Sequence, residues 1–272
     1  MASEPTSGTT AAVAATLDTA RLERRALGPS DFTYELDVTE AYRVQHAGIA
    51  LRVHRGEVPS GLKMGFTNKA KMRQMGVDSV IAGQLTQATL VADGGVIDLS
   101  EFIHPRIELE VAFRMGSDVD FTDPLCDPTA HIDAVAVAME VIDSRFAGFG
   151  FDLGKVVADN TSAGAYIVGP WIAWDHRDLS NLAAELDVNG QPVQVSSTAA
   201  ILGQPLRALT ELRTLAREHG LVLRAGETVL AGAATEAVPL VPGVVDGRIA
   251  GLGSVMVHAA GSTQAAAEGA HS

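Results

Sequence analysis

The sequence predicts an α/β protein of the α+β type, with a small helical unit at the N-terminus and a β-rich core after it. Two observations predict this division. Before residue 55, apolar residues recur at intervals of three and four, as in amphipathic helices. From Gly83 onward, short apolar runs are punctuated by Gly, Pro and Asp, as in strands that are joined by turns.

The N-terminal unit contains two predicted helices and one buried strand. The segment from Ala11 to Leu27 has a helical composition, and Val38 to Val53 places apolar residues on one helical face. Gly61-Leu-Lys-Met-Gly-Phe-Thr67 is short and apolar, which predicts a buried strand, and Thr67 is suited to cap a helix after it. Lys63 interrupts this strand, so it either snorkels to solvent or has a function.

The β-rich region contains seven predicted strands and one helix. The strands are Ala88–Val91, Ile107–Met115, Ala134–Ile142, Ala165–Val168, Ala184–Val188, Thr228–Ala231 and Ser254–His258. The helix runs from about Pro205 to His219, and Gly220 follows it at a position where a left-handed residue ends a helix. We therefore expect an N-terminal tail and small unit over residues 1–80, a main domain over 81–260 and a flexible tail over 261–272.

The composition excludes several classes of function. The net charge of −13 argues against a nucleic acid partner, because phosphate binding requires clustered Lys and Arg. No window approaches the roughly eighteen uninterrupted apolar residues of a membrane span. The single cysteine, Cys126, cannot form an internal disulfide, and residues 1–16 lack the basic start of a targeting peptide. We expect a cytoplasmic protein.

Three glutamates interrupt apolar segments with strand-like patterns. Glu108 and Glu110 lie at i, i+2, so both point to one face of a strand. Glu140 interrupts the apolar run from Ala134 to Ile142, where an unpaired carboxylate would be costly. Three carboxylates suit Mg²⁺ or Mn²⁺ and leave positions for water or a chelating substrate. A half-exposed edge strand with ordinary surface glutamates is the alternative for Glu108 and Glu110.

Several motifs, in order along the chain, resemble one enzyme family. They are Gly61-Leu-Lys-Met-Gly-Phe-Thr67, Ala70-Lys-Met-Arg-Gln-Met-Gly-Val77, His104-Pro-Arg-Ile-Glu-Leu-Glu-Val-Ala-Phe113, Glu140-Val-Ile-Asp-Ser-Arg145, Phe151-Asp-Leu153 and Val156-Val-Ala-Asp-Asn160. Together they resemble the family of 4-oxalocrotonate decarboxylase and 2-oxopent-4-enoate (vinylpyruvate) hydratase, in the fumarylacetoacetate hydrolase superfamily. The resemblance covers about residues 30 to 258. It implies that residues 81–260 form the mixed β-roll or barrel core of that superfamily.

The resemblance implies a role for each member of the candidate catalytic site. Glu108, Glu110 and Glu140 are expected to hold Mg²⁺ or Mn²⁺, in agreement with the interpretation of the strand pattern. Lys63 is expected beside the substrate as an acid, base or electrostatic residue. Asp159 and Ser162 are expected in the wall of the catalytic pocket.

Three further residues, Thr67, Lys71 and Arg145, are candidates for substrate binding. Lys71 and Arg145 carry the positive charge that a second substrate carboxylate would need. Arg145 could equally be a structural ion-pair partner of Asp143 or Asp152. The expected substrate is a small anionic 2-oxo acid.

The resemblance implies metal-dependent decarboxylation of 2-oxo-3-hexenedioate (4-oxalocrotonate), or of a related 2-oxo acid, to a 2-hydroxydienoate. In such a reaction the 2-oxo acid chelates the ion, which stabilises the dienolate that forms as CO₂ leaves. The motifs around Lys63 and Asp143 resemble decarboxylases more than hydratases. Hydration of 2-hydroxypenta-2,4-dienoate is the alternative, because it requires the same metal and dienolate.

The resemblance also implies a biological setting. It places such an enzyme in the meta-cleavage catabolism of aromatic compounds, as a homo-oligomer that can form a complex with a vinylpyruvate hydratase. A hypothesis of another class is a non-catalytic partner subunit of such a complex. Retention of Lys63 and all three glutamates argues against this hypothesis, since a carboxylate cluster is destabilising without metal.

Overall fold

The computed structural model of the protein describes residues 7–68, 72 and 79–262, and it confirms the α+β fold class. Helices α1 (Ser7–Glu23) and α2 (Val38–His54) form the N-terminal helical unit and contact each other. The first helix ends four residues before the predicted Leu27, because Arg24 has a positive φ of 52°. The second begins as predicted, and the side chain of Asp37 caps it by accepting a hydrogen bond from the backbone N–H of Glu40.

Fourteen strands and two further helices follow in the described part of the chain. The helices are α3 (Leu153–Ala158) and α4 (Leu206–His219). The strands are β1 (Pro59–Gly65), β2 (Ile81–Thr86), β3 (Leu90–Val91), β4 (Val96–Asp98), β5 (Arg106–Met115), β6 (Ile132–Ile142), β7 (Ala163–Val168), β8 (Ile172–Ala173), β9 (Ala183–Val188), β10 (Gln191–Ser197), β11 (Thr228–Ala233), β12 (Val238–Pro239), β13 (Gly243–Ile249) and β14 (Gly253–Ala260).

The strands form two sheets. The larger has the order β2-β1-β11-β5-β6-β7-β3, with β12 also paired to β5 and β8 to β6. The smaller has the order β10-β9-β13-β14-β4. Because β1 pairs with β11, the strand that carries Lys63 belongs to the larger sheet. The division of the chain at residues 80 and 260 stays a prediction.

The two sheets pack face to face, and the period of two along a strand decides which residues meet. Leu109 in β5 lies in the apolar core with Val245 in β13. A Cβ added to Gly247 in β13 would lie only 2.4 Å from Leu109 Cδ1, so the backbone of one sheet closely approaches the side chains of the other. Successive residues of a strand alternate in direction. Glu108 and Glu110 therefore point to the opposite face of the larger sheet.

Most predicted elements are confirmed, and the differences have physical reasons. The predicted strand Ala88–Val91 is wrong over its first half, where residues 87–89 form a 3₁₀ turn. The sequence pattern missed β2, β4, β8, β10, β12, β13 and α3. Three of the missed strands, β4, β8 and β12, have only two or three residues, and β10 is an edge strand rich in polar residues. No helix in the described residues is long and apolar enough to cross a membrane.

Candidate metal and substrate site

Three buried glutamates meet at the centre of the larger sheet. Glu108 and Glu110 lie on one face of β5, and Glu108 is directly opposite Glu140 in the register of β5 and β6. One carboxylate oxygen from each residue lies within 4.8 Å of the other two. Because β5 is paired on both sides and all three side chains are buried, the edge-strand alternative is wrong.

The electrostatics of this cluster fit a divalent cation. Burial raises the pKa of Glu110 well above its ordinary value, and the charges of Glu140 and Glu108 raise it further. Burial also raises the pKa of Glu140. Among the described residues, Glu110 Oε1 and Glu140 Oε1 have no hydrogen-bond partner. A hard cation would satisfy these oxygens and remove the repulsion, and carboxylate oxygens are the ligands that Mg²⁺ and Mn²⁺ prefer.

Lys63 lies beside the cluster. Its Nζ is 2.9 Å from Glu140 Oε2 and donates a hydrogen bond to the carbonyl oxygen of Thr161 at 3.0 Å. Burial alone would lower the pKa of Lys63, but the glutamates, Glu140 foremost, more than offset this and raise it. The side chain is 3% exposed, so it does not snorkel to solvent. The structure therefore holds a charged ammonium group against the carboxylates.

A strained loop between α3 and β7 forms one wall of the site. Asn160, Thr161 and Ser162 have consecutive φ values of 49°, 54° and 57°, in the left-handed region that residues with a Cβ rarely adopt. The amide of Asn160 stabilises this run by hydrogen bonding to both backbone groups of Gln84, at 2.7 and 2.9 Å. Strain of this kind often marks functional sites.

Two residues of the loop, Thr161 and Ser162, line a cavity of about 220 Å³. Thr161 Oγ1 and Ser162 Oγ are buried and have no hydrogen-bond partner among the described residues. Ser162 thus lies where it was predicted. The sequence reasoning missed Asn160 and Thr161, although a polar run between two apolar segments was a visible signal.

Lys63, Glu108 and Thr67 also line this cavity. Thr67 packs so closely on Gly232 that a Cβ on that glycine would lie 2.1 Å from Thr67 Oγ1. The backbone N–H of Gly232 in turn donates a hydrogen bond to Glu110 Oε2 at 2.7 Å. Lys71, the other predicted substrate contact in this region, lies outside the described residues, and its role stays a prediction.

The positions of Asp159 and Arg145 differ from the predicted ones. The Arg145 guanidinium is hydrogen bonded to the Asp159 carboxylate and, at 2.5 Å, to the Asp159 carbonyl oxygen. Both residues are buried and line a separate cavity against α1 and α2, not the one beside Glu108. Arg145 is therefore a structural ion-pair partner, which was one of the two predicted alternatives. Its partner is Asp159, and not Asp143 or Asp152.

The two other aspartates accept backbone hydrogen bonds. Asp143 accepts from the N–H groups of Ile103 and His104, at 3.0 and 2.8 Å. Asp152 caps α3 by accepting from the N–H of Lys155 at 2.8 Å. Since these contacts occupy both carboxylates, the choice of Asp159 as the partner of Arg145 depends on tertiary structure that the local sequence does not specify.

An apolar wall and an arginine complete the cavity. Phe149 and Phe151 line it, and so does Arg106, which lies two residues before Glu108 on β5. The Arg106 Cζ lies 5.1 Å from the centroid of the Phe149 ring. The sequence reasoning did not consider Arg106, although its i, i+2 spacing from Glu108 predicts the same face of the strand.

Three buried carboxylates at the centre of a curled mixed sheet, with a buried lysine beside them, form a candidate metal site of an enzyme. Residues 47–258 match the model of the fumarylacetoacetate (FAA) hydrolase C-terminal family. The chain therefore belongs to the fumarylacetoacetate hydrolase family.

The relatives include members of the group that the motifs predicted. The chain is 42% identical over 244 residues to a 4-oxalocrotonate decarboxylase of Pseudomonas sp, covering 89% of this chain and 95% of the relative. It is 34% identical over 224 residues to a 2-keto-4-pentenoate hydratase of Paraburkholderia xenovorans (strain LB400), covering 81% of this chain and 83% of the relative. A solved structure of 4-oxalocrotonate decarboxylase from Pseudomonas putida G7, complexed with magnesium and adipate, matches with a TM-score of 0.86 at 36% identity, covering 95% of this chain and all of that one. The resemblance that was predicted from the motifs is confirmed.

Proposed function

We propose that this protein is a lyase that decarboxylates 2-oxo-3-hexenedioate (4-oxalocrotonate), or a closely related 2-oxo acid, with a divalent metal ion as cofactor. The observation that carries the proposal is the cluster of Glu108, Glu110 and Glu140 with Lys63 against it. The higher identity to decarboxylases, 42% against 34% for a hydratase, supports this reaction over hydration.

Glu108, Glu110 and Glu140 would hold the ion. When bound, Mg²⁺ or Mn²⁺ would supply Lewis acidity to the 2-oxo acid end of the substrate. The magnesium and adipate in the structure of the Pseudomonas putida relative support both the type of ion and a dicarboxylate ligand. The unpartnered oxygens of Glu110 and Glu140 are the local observation that favours an ion at this position.

Lys63 would stabilise the negative charge that develops on the substrate. As CO₂ leaves the far end of the conjugated acid, negative charge moves to the oxygen at C2. A preorganised ammonium group in a dry site stabilises such charge more than water does. Thr161 and Glu140 hold the Nζ in place, and Phe149 and Phe151 form an apolar wall of the cavity.

Thr161 and Ser162 would bind the carboxylate at C1 of the substrate. Their hydroxyl groups are buried and lack partners among the described residues, and both residues line the cavity with Lys63. A hydroxyl group in such a position gains a hydrogen bond when an anionic oxygen approaches. This assignment gives the strained loop at Asn160–Ser162 a function that explains its cost.

Hydration of 2-hydroxypenta-2,4-dienoate is the second candidate, because hydratases are among the relatives. The experiment that separates the two is ¹H NMR of the products, with Mg²⁺ and each substrate in turn. Loss of CO₂ from 2-oxo-3-hexenedioate without water addition to the dienoate supports the decarboxylase. Formation of 4-hydroxy-2-oxopentanoate from the dienoate, with no CO₂ from the dicarboxylate, supports the hydratase.

We further propose that the protein acts in the cytoplasm as a homo-oligomer, in the meta-cleavage catabolism of aromatic compounds, and that it can form a complex with a hydratase. Relatives named 4-oxalocrotonate decarboxylase and 2-keto-4-pentenoate hydratase support a link between the two activities. Light scattering of the protein alone and mixed with a vinylpyruvate hydratase tests the assembly. A non-catalytic partner subunit would bind no stoichiometric Mg²⁺ or Mn²⁺, so metal content tests that alternative.

A further inference from the structure

Arg106 lines the cavity from the exposed start of β5. It lies on the same face of β5 as Glu108, two residues along the strand, a separation of about 6.6 Å between Cα atoms. On the neighbouring strand β6, Ile142 lies opposite Arg106, and Glu140 lies opposite Glu108. Arg106 and Glu108 are therefore successive residues on one face of β5, and both line the cavity.

The charge of Arg106 has no counterion among the described residues. Its guanidinium lies over the ring of Phe149, at 5.1 Å from the centroid. The nearby Arg145, by contrast, is fully engaged by Asp159. An aromatic ring under a guanidinium restricts its orientation while its N–H edge stays available for a carboxylate. In a protein with a net charge of −13, an arginine without a carboxylate partner in a substrate cavity points to an anionic ligand.

We propose that Arg106 binds the carboxylate at the far end of a dicarboxylate substrate and so selects dicarboxylates over monocarboxylates. This inference rests on the proposed function, in which the 2-oxo acid end lies at the glutamates. In a six-carbon diacid the two carboxyl carbons are about 6 Å apart, five carbon–carbon bonds of about 1.5 Å in a zigzag chain. Because Arg106 and Glu108 line the same cavity, a diacid of this length that is held at the glutamates meets a charged partner for its far carboxylate there.

The role also fits the chemistry at that end of the substrate. The C5–C6 bond breaks and C6 leaves as CO₂; the electron pair forms a C4–C5 double bond, the former C3–C4 double bond moves to C2–C3, and the C2 oxygen takes the negative charge. A bidentate guanidinium can hold the C6 carboxylate out of the plane of the conjugated system, as this bond cleavage requires. Neutral CO₂ no longer attracts the guanidinium, so Arg106 does not retain the product.

The test compares two inert ligands that share the 2-oxo acid end. 2-Oxoadipate carries a far carboxylate, and 2-oxohexanoate carries a methyl group there; neither has the double bond that the reaction uses. Binding to the Mg²⁺-loaded full chain is measured by calorimetry for wild type, Arg106→Met and Arg106→Lys. We expect Arg106→Met to weaken the binding of 2-oxoadipate by about 10- to 100-fold, because a charge-assisted hydrogen-bonded pair is lost. The affinity for 2-oxohexanoate should not change. Arg106→Lys keeps the positive charge but not the two-pronged guanidinium, so its affinity for 2-oxoadipate should lie between those of wild type and Arg106→Met.

Arg114→Met is the matched control. Arg114 lies on the same strand and also over an aromatic ring, 5.5 Å from Trp171, but its partner is Asp133 and it does not line the cavity. This variant should bind both ligands as the wild type does. The role of Arg106 is overturned if Arg106→Met and Arg106→Lys weaken the binding of both ligands equally, or weaken neither. The proposed function stands in that case. Failure of the wild type to bind either 2-oxo acid overturns the proposed function and this inference with it.

Discussion

Lys63 Nζ lies 2.9 Å from Glu140 Oε2, although their strands, β1 and β6, are not neighbours in the sheet. Strands β11 and β5 lie between them, and adjacent strands are about 4.8 Å apart, so a flat sheet would separate the two backbones by about 14 Å. Direct contact between the side chains requires the sheet to curl around the site. The curl thus brings the catalytic lysine of the proposed mechanism to the carboxylates.

Replacing Lys63 by Met should remove most of the catalysis. The thioether side chain fills similar space but supplies no charge for the C2 oxygen, and loss of one such donor typically costs about 10²–10³ in rate. The measurement is kcat for 2-oxo-3-hexenedioate at saturating Mg²⁺, with Lys155→Met as a control at a half-exposed lysine of α3. Turnover within a few-fold of wild type would show that Lys63 is structural.

Replacing Glu110 by Gln should stabilise the metal-free protein and remove its response to metal. Gln keeps an acceptor for the N–H of Gly232 and removes the buried carboxyl whose pKa is raised. Without metal, the free energy of unfolding at pH 7 should rise by on the order of 1–3 kcal/mol. Wild type should gain further stability as the free Mg²⁺ concentration rises above its dissociation constant, and the variant should not. Denaturant unfolding in EDTA and in Mg²⁺ measures both effects; an unchanged response to Mg²⁺ in the variant would exclude Glu110 as a ligand.

Gly232→Ala should reduce activity more than its backbone strain alone would. The φ of Gly232 is 101°, and the new Cβ would lie 2.1 Å from Thr67 Oγ1. Gly253 has a φ of 103°, and a Cβ added there would meet nothing within 4 Å, so Gly253→Ala imposes the same strain without the clash. Only Gly232→Ala is expected to lose activity, by about 10²-fold, because displacement of Glu110 or Thr67 by about 1 Å misplaces the substrate. Equal activity of the two variants would contradict this expectation.

The Arg145–Asp159 pair predicts a pH dependence of stability. Burial raises the pKa of Asp159 to about 6, even though Arg145 opposes this. The folded protein therefore holds the Asp159 proton more tightly than the unfolded chain does. Protonated Asp159 contributes its full stabilisation below the ordinary pKa of about 3.9, and this stabilisation is lost as the pH rises through 6. Asp159→Asn cannot titrate. The stability of wild type relative to this variant should fall by up to about 3 kcal/mol between pH 4 and pH 7 in urea unfolding, and a flat or rising difference would contradict the raised pKa.

The sequence predicted the chemistry of the site better than its walls. Carboxylates that interrupt apolar runs are costly unless they are compensated, so Glu108, Glu110 and Glu140 were visible in the pattern, and the sheet register brings them together. Ser162 and Thr67 were found through family motifs and do line the cavity. Their functional roles, like those of the glutamates, stay predictions until the variants are measured.

What the sequence could not predict depends on long-range packing. Arg145 and Asp159 are charged residues near a catalytic motif, and only the fold reveals that they neutralise each other outside the cavity. Arg106 was overlooked because a charged residue at the start of a strand usually faces solvent. The left-handed run at Asn160–Ser162 is invisible to propensity, since tertiary hydrogen bonds between the Asn160 side chain and the Gln84 backbone stabilise it.

The most direct test of a catalytic metal at the three glutamates is CO₂ release from 2-oxo-3-hexenedioate by metal-depleted protein as Mg²⁺ is added back. Wild type and Glu140→Gln are compared, with Glu101→Gln as a control at an exposed glutamate that pairs with Arg24. We expect wild type and Glu101→Gln to release CO₂ only with Mg²⁺ and folded Glu140→Gln to release almost none. CO₂ release that persists in EDTA, or that Glu140→Gln retains, would contradict a catalytic metal at this position.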